Sequence, residues 1–150
     1  MAVEEGGMDL AEVYEQFGPA FNEFAKGNPE PVKALYSHRN DATLANPFGP
    51  AVRGWDEVSR MLDYASSRFR DGQFLGAERI AEHTTAELTC VLDLEHWRSR
   101  VNERADVEPF DLRVTTILRR EGDDWKVVHR HADPIATLDA SGPVRGSPED

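Results

Sequence analysis

The sequence has very little cysteine: Cys90 is the only one among 150 residues. A single thiol cannot form an internal disulfide framework, and it cannot supply a zinc site built from several thiolates. Cys90 stands in an apolar segment with strand-like alternation, where a cysteine is usually an inert packing residue. The sequence therefore argues against a disulfide-stapled domain and against a thiolate metal centre.

Basic residues are also scarce. The chain has 17 Lys and Arg against 28 Asp and Glu, a formal net charge of −11. Nucleic acids and anionic membrane surfaces require clustered Lys and Arg, so we expect neither partner. No apolar run approaches the roughly 18 residues of a membrane helix, and the acidic N-terminal segment lacks the pattern of a secretion signal. We therefore expect a cytoplasmic protein.

Hydrophobic residues, at 39% of the chain, are numerous enough to fill one core, and those near the N-terminus recur at helical spacing. Asp9 with Glu12 three residues later forms a capping-box pattern, which predicts a first helix ending by Gly27. Within it, Gly18 and Pro19 predict a kink or a break, because proline removes one helical hydrogen bond. The chain thus begins with a helical region.

Two further helices follow from the same signals. Asn28 and Pro29 offer an N-cap and a first-turn proline for a second helix that ends near Ser37. A third helix follows Gly54, with Gly72 at the expected position of a C-cap.

From Phe74 onward the period of the apolar residues changes to two, which predicts antiparallel strands. We place residues 9–133 in one domain, with 1–8 as a flexible N-terminus and 134–150 as a disordered or loosely packed tail. Helices followed by strands predict an α+β fold, in which three helices pack on a curved, mixed but mostly antiparallel sheet. Such a sheet encloses a cavity, and ligand sites favour cavities.

Strand alternation also predicts which faces are buried. Leu92 and Leu94 belong to a leucine-rich face that we expect inside, since burying each leucine contributes about 1.5–3 kcal/mol. Val91, Trp97 and Ile117 would then lie outside. An outer face this apolar predicts a homodimer formed through the sheet.

Two segments carry a family resemblance. The stretch DATLANPFGPAVRG, residues 41–54, resembles the first strand and its connection to the third helix in ketosteroid isomerases and SnoaL-like proteins. The stretch WKVVHRHAD, residues 125–133, resembles the last strand of the SnoaL-like branch. With the order of elements, they make the chain similar to the nuclear transport factor 2-like superfamily. The resemblance implies a cystatin-like cone with a central cavity for a small molecule, often in a dimer, and no cofactor.

The resemblance also locates the positions that are catalytic in the ketosteroid isomerases. Asn46 stands where those enzymes have the aspartate base, and a neutral amide cannot accept the proton. Thr116 falls where they have a neutral acid, and their oxyanion tyrosine would fall near Ala20, with Tyr14 about two turns earlier as a substitute. Isomerase chemistry by that mechanism is therefore not expected.

Other residues remain candidates for the cavity. Tyr14, Asn46, Trp55 and Thr116 are predicted ligand-binding residues, although Trp55 could equally be a core aromatic. Arg130 is predicted to face inward between Val128 and Ala132, where a buried guanidinium requires an anion and would bind an anionic or strongly polar ligand end. A bulge could instead expose Arg130 and turn the neighbouring histidines inward.

Histidines are the candidate proton carriers. His96 shares the leucine-rich face that we expect inside, although a histidine at a strand end is more often a surface residue, and His131 is the second candidate. His129, His131 and Asp133 share a strand face and could ligate a metal, but no complete ligand set is apparent, and we predict none. Glu95 is expected outside, in a cross-strand ion pair with Arg113.

Two functions remain open. The favoured one is a non-catalytic dimer that binds a small molecule in its interior. The alternative is a cofactor-independent isomerase, cyclase or dehydratase that uses histidine as the proton carrier. No dinucleotide fingerprint, phosphate-binding loop or nucleophile elbow occurs in the sequence.

Overall fold

The fold is the predicted α+β arrangement. The computed structural model describes residues 7–135; the remainder of the N-terminal segment and nearly all of the proposed tail lie outside the described residues. The described chain forms the helices α1 (Leu10–Phe24), α2 (Glu30–Leu35) and α3 (Trp55–Ser67). Its strands are β1 (Thr43–Ala45), β2 (Val52–Arg53), β3 (Phe69–Thr84), β4 (Leu88–Val101), β5 (Glu108–Glu121) and β6 (Asp124–Pro134).

The six strands form one mixed sheet in the order β2-β1-β6-β5-β4-β3. All pairings are antiparallel except that of β1 with β6, which is parallel. We call the face covered by the helices the inner face and the opposite one the outer face. No helix within residues 7–135 is long and apolar enough to cross a membrane.

The start of α1 confirms the capping prediction. The Asp9 carboxylate accepts the Glu12 backbone N–H and the Glu12 carboxylate accepts the Asp9 N–H, both at 2.9 Å. The helix continues through Pro19, so the predicted break does not occur. Phe21 and Phe24, beyond the proline, are buried in the core, and this burial offsets the lost hydrogen bond.

Gly72 does not cap α3, which ends at Ser67. It lies in β3, where an added Cβ would come within 2.7 Å of the Ala25 carbonyl oxygen. Close contact with the chain after α1, rather than helix termination, therefore requires glycine there.

The buried face of β4 is the reverse of the one predicted. Its buried side chains are those of Thr89, Val91, Asp93, Glu95, Trp97 and Ser99. Leu88 and Leu92 lie on the outer face, 45% and 40% exposed. The placement of Val91 and Trp97 outside was therefore wrong.

Partners from other strands explain why acids occupy the inner face of β4. Arg79 on β3 binds Asp93 at 2.6 Å, and Arg130 on β6 binds Glu95 at 2.7 Å, so both buried carboxylates are neutralised. The expected pair of Glu95 with Arg113 does not form, since Arg113 lies opposite Leu94. Alternation within one strand carries no information on such cross-strand partners.

The last strand contains the predicted inward arginine together with a bulge. On β5, Thr116 is buried as expected, and it lies opposite Arg130 in the ladder. The register shifts beside Ile117, so Val127 rather than Val128 is buried, whereas Arg130 and Ala132 keep their predicted inward orientation. The bulge precedes Arg130 and therefore does not expose it.

His129 makes the stability of the fold depend on pH. Its Nδ1 lies 2.8 Å from the Thr43 hydroxyl, and burial, aided by the charge of His131, lowers its pKa. Below the ordinary histidine pKa of about 6.5, His129 binds a proton in the unfolded chain but not in the native chain. The free energy of unfolding therefore falls as the pH falls. We expect His129→Gln to reduce this loss, measured by urea unfolding at pH 7.5 and pH 5.5.

The variant His96→Gln is the matched control. The Asp111 and Glu78 carboxylates accept hydrogen bonds from the His96 ring and raise its pKa, so its contribution to stability is present at low pH and is lost as pH rises through the raised pKa. Removing His96 should therefore change the pH slope in the opposite direction. An identical slope in the His129 variant and the wild type would contradict the assignment.

Candidate functional site

Three neighbouring spaces lie along the inner face of the sheet, and the helices cover two of them. A mouth groove of about 380 Å³ lies at the ends of β4 and β5 and includes Phe110 and Ser99. A central cavity of about 50 Å³ lies behind it and includes Asn46 and Trp97. An inner cavity of about 10 Å³ lies deepest, next to Tyr36.

Shared side chains show that the spaces are neighbours. The groove and the central cavity are both lined by Pro47, Phe48, Phe69 and Leu112. The central and inner cavities share Phe21, Val32 and Arg130. These aromatic and aliphatic side chains thus lie between the groove and Arg130.

Arg130 is the principal polar group of the central cavity. Its side chain is 11% exposed, and its two terminal nitrogens donate to Glu95 at 2.8 and 2.7 Å. Burial lowers its pKa, but the charge and hydrogen bonds of Glu95 outweigh burial and raise it. Trp97 Nε1 also donates to Glu95, at 3.0 Å. The anion that a buried Arg130 requires is thus Glu95, not a bound ligand as the sequence analysis expected.

Asn46 supplies a second polar group. It lies just after β1 and lines the central cavity, and its side-chain oxygen accepts the Phe48 backbone N–H at 2.9 Å. This bond holds the amide in place and leaves its NH₂ group to donate elsewhere. An amide here can orient a ligand, but it cannot act as a general base.

The inner cavity adds two hydroxyl groups. Tyr36 is 2% exposed, and among residues 7–135 its hydroxyl is the one buried side-chain polar atom without a hydrogen-bond partner. Burial raises its pKa, so the hydroxyl stays protonated. Thr116 is 3% exposed and lines the same space.

Parallel aromatic rings form the wall of the passage. Phe69 lies parallel to Phe110, with centroids 6.0 Å apart, and to Trp97, also at 6.0 Å. The interplanar angles are 7° and 15°. These rings offer a planar or apolar ligand a continuous apolar surface.

Two predicted ligand-binding residues lie elsewhere. The Tyr14 hydroxyl donates to Glu82 at 3.0 Å, and the Arg79 guanidinium lies 4.6 Å from the centroid of the Tyr14 ring. Burial raises the pKa of Tyr14 to about 12. Trp55 stacks on His38 at 3.8 Å beside an open surface depression. Neither residue lines the three spaces, so the structure gives no support to their predicted ligand contacts.

The two candidate proton carriers lie on the outer face. His96 bridges Glu78 and Asp111 at 2.7 and 2.8 Å, and the prediction that it faces inward was wrong. His131 is half-exposed and lies 2.9 Å from Asp133. Neither histidine lines the three spaces. Within the described chain, no group of three or more His, Cys, Asp and Glu side chains is placed to hold a metal ion.

The site therefore combines predicted and unpredicted residues. Asn46, Thr116 and Arg130 were expected from the sequence and do line the interior. Glu95 and Tyr36 were missed. The sequence did contain a signal for Glu95, because it shares strand parity with Trp97, and the largest aromatic residue of a strand is usually buried.

Comparison with known proteins agrees with this architecture. Residues 12–137 match the SnoaL-like domain, and the chain belongs to this family. No curated protein matches the sequence.

Several solved structures share the fold. A ketosteroid isomerase-like protein from Erwinia carotovora atroseptica aligns with a TM-score of 0.70 at 19% identity, covering 85% of this chain and 95% of that one. A nuclear transport factor 2-like superfamily protein from Salmonella enterica has a TM-score of 0.70 at 16% identity, covering 91% and 100%. A provisionally assigned dehydratase from Streptomyces avermitilis has a TM-score of 0.65 at 22% identity, covering 85% and 98%.

Proposed function

We propose that this protein binds a small, mainly apolar molecule in the space between its helices and its sheet. The observation that carries the proposal is the mouth groove of about 380 Å³ together with the neighbouring central cavity, whose lining is apolar except for Asn46 and Arg130. Apolar walls with a few convergent polar groups are typical of small-molecule sites. The adjoining mouth groove provides a route from the surface.

Binding accounts for the interior better than acid–base catalysis does. Asn46 cannot take up a proton, and Glu95 already pairs with Arg130 through two hydrogen bonds. His96 and His131 lie on the outer face, so their positions do not support the alternative isomerase, cyclase or dehydratase. The likeness to a provisional dehydratase, at 22% identity, concerns the fold alone.

Filling the central cavity tests the proposal. Ala132 lines this cavity and is 2% exposed. We expect Ala132→Leu to weaken binding of butylbenzene, an apolar probe, by at least about tenfold, because the added side chain occupies the probe's space. Titration calorimetry with the full chain gives the affinity, and circular dichroism checks the fold.

Ala51→Leu is the matched control, since it adds the same side chain at an exposed loop position. Its affinity should equal that of the wild type. If the wild type binds no probe, or if Ala132→Leu binds as tightly as the wild type, the proposal is wrong.

The outer face supports a second part of the proposal, a homodimer formed through the sheet. Leu88 and Leu92 are exposed there, and Ile117 lies opposite Cys90 on the adjoining strand. A contiguous apolar surface on a sheet is typical of an interface, and a second copy supplies a surface of the same chemistry by two-fold symmetry. Among the expected interface residues, Ile117 lies on this face, whereas Val91 and Trp97 do not.

A charge on this face tests the dimer. We expect the wild type to have twice the monomer mass by light scattering at micromolar concentration, and Leu92→Lys to have the monomer mass. Gln16→Lys adds the same charge on an exposed position of α1 and should stay dimeric. A monomeric wild type would exclude the dimer.

A further inference from the structure

We propose that the inner cavity receives a single neutral oxygen atom of the ligand, a carbonyl or hydroxyl oxygen, which accepts hydrogen bonds from Tyr36 and Arg130. The inference rests on the proposed function, because it assigns the deep end of the same site. It identifies the ligand class as an apolar molecule with one terminal oxygen. Tyr36 becomes the residue that selects it.

The hydroxyl of Tyr36 is the first argument. A buried hydroxyl without a partner is destabilising, and the Tyr36 hydroxyl is the one such side-chain atom in residues 7–135. Tyr36 and Arg130 both line the inner cavity, so the hydroxyl and the guanidinium lie beside the same small space. A protonated phenol held there can only gain by donating its hydrogen bond to an incoming acceptor.

Arg130 is the second donor. Its guanidinium carries five N–H groups, and Glu95 accepts two of them, which leaves three that the ion pair does not use. Arg130 lines both the central and the inner cavity. A ligand oxygen that passes the central cavity therefore meets guanidinium donors beside the Tyr36 hydroxyl.

The size of the inner cavity limits what enters it. Its volume of about 10 Å³ matches one water-sized group. A single oxygen fits, whereas a ring or a branched group does not. The body of the ligand then lies in the central cavity and the mouth groove, against Phe69 and Phe110.

Charge selects a neutral oxygen over a carboxylate. Glu95 already neutralises Arg130, and the negative charge of Asp93 also acts on Arg130. A ligand carboxylate would be buried beside these acids with no unpaired cation to balance it, which is costly in a region of low dielectric constant. The anionic ligand end predicted from sequence is therefore replaced by a neutral acceptor.

Three matched probes test the inference: 4-phenylbutan-2-one, butylbenzene and 4-phenylbutanoate. For the wild-type protein we expect the ketone to bind about tenfold more tightly than butylbenzene, the worth of one good buried hydrogen bond, and more tightly than the carboxylate. In Tyr36→Phe the ketone should lose this advantage over butylbenzene, which has no oxygen to accept a hydrogen bond. The variant breaks no hydrogen bond of the described chain, so we expect it to fold.

Isotope-edited infrared spectroscopy gives a readout that needs no variant. The carbonyl stretch of ¹³C-labelled ketone should lie at lower wavenumber in the wild-type complex than in hexane, where the ketone accepts no hydrogen bond, because donated hydrogen bonds weaken the C=O bond. An unshifted band, a ketone preference that persists in Tyr36→Phe, or tighter binding of the carboxylate would each overturn the inference while leaving the proposed function intact. If none of the three probes binds, both fail.

Discussion

Arg130→Met should lower the free energy of unfolding by about 3–5 kcal/mol, because it leaves the Glu95 carboxylate buried without its cation. Glu95 is 2% exposed, so bulk water cannot solvate its charge well. The substitution also removes the guanidinium that lies 4.6 Å from the Phe21 ring centroid. Methionine has a similar reach and fills much of the same volume, so the loss is mainly electrostatic.

The double variant Glu95→Gln with Arg130→Met separates the cost of an unpaired Glu95 charge from the net contribution of the ion pair to stability. Glutamine keeps an acceptor for the Trp97 indole N–H but carries no charge. We therefore expect the double variant to regain most of the stability lost in Arg130→Met, since replacing both members of a buried ion pair is often nearly neutral.

Urea unfolding at one fixed protein concentration measures both variants. Arg113→Met is the control, because Arg113 is exposed on the outer face and its loss should change stability by less than about 0.5 kcal/mol. Equal small effects at Arg113 and Arg130 would show that Arg130 is not held in a buried ion pair.

The fold followed from the sequence because its signals are local. The capping box at Asp9 and the change of period near Phe74 identify helices and strands without knowledge of their partners. Thr116 and Arg130 were also placed correctly, since each lies on a strand whose other inward residues are apolar. Local pattern and tertiary structure agree there.

The candidate site was only partly predictable because its polar groups depend on partners far away in the chain. Glu95 and Arg130 are 35 residues apart and Arg79 and Asp93 are 14 apart, and no periodicity reports which of them will meet. Without knowledge of those pairs, the acids on the inner face of β4 predict a solvated face. The unpartnered hydroxyl of Tyr36 has no sequence signature at all, since an aromatic residue after an amphipathic helix usually indicates only packing.

Trp97→Ala should be as destabilising as a large core deletion, about 3–5 kcal/mol, whereas Leu92→Ala should cost less than about 1 kcal/mol. Trp97 is 3% exposed and contacts the rings of Phe21 and Phe74, with centroids at 5.4 and 5.1 Å. Leu92, on the same strand with the opposite parity, is 40% exposed.

The comparison tests the reversed face of β4 directly, because the leucine-rich inner face expected from the sequence would give the opposite order of effects. Urea unfolding of the two variants and the wild type provides the measurement, at a protein concentration where light scattering gives the monomer mass, so that the proposed dimer contact of Leu92 does not contribute. Trp97→Phe keeps an aromatic ring in the cluster but loses the hydrogen bond from Nε1 to Glu95, so its cost should lie between those two values. A larger loss of stability for Leu92→Ala than for Trp97→Ala would mean that the acids of β4 face solvent. Glu95, the partner of Arg130 in the proposed binding site, would then be exposed as well.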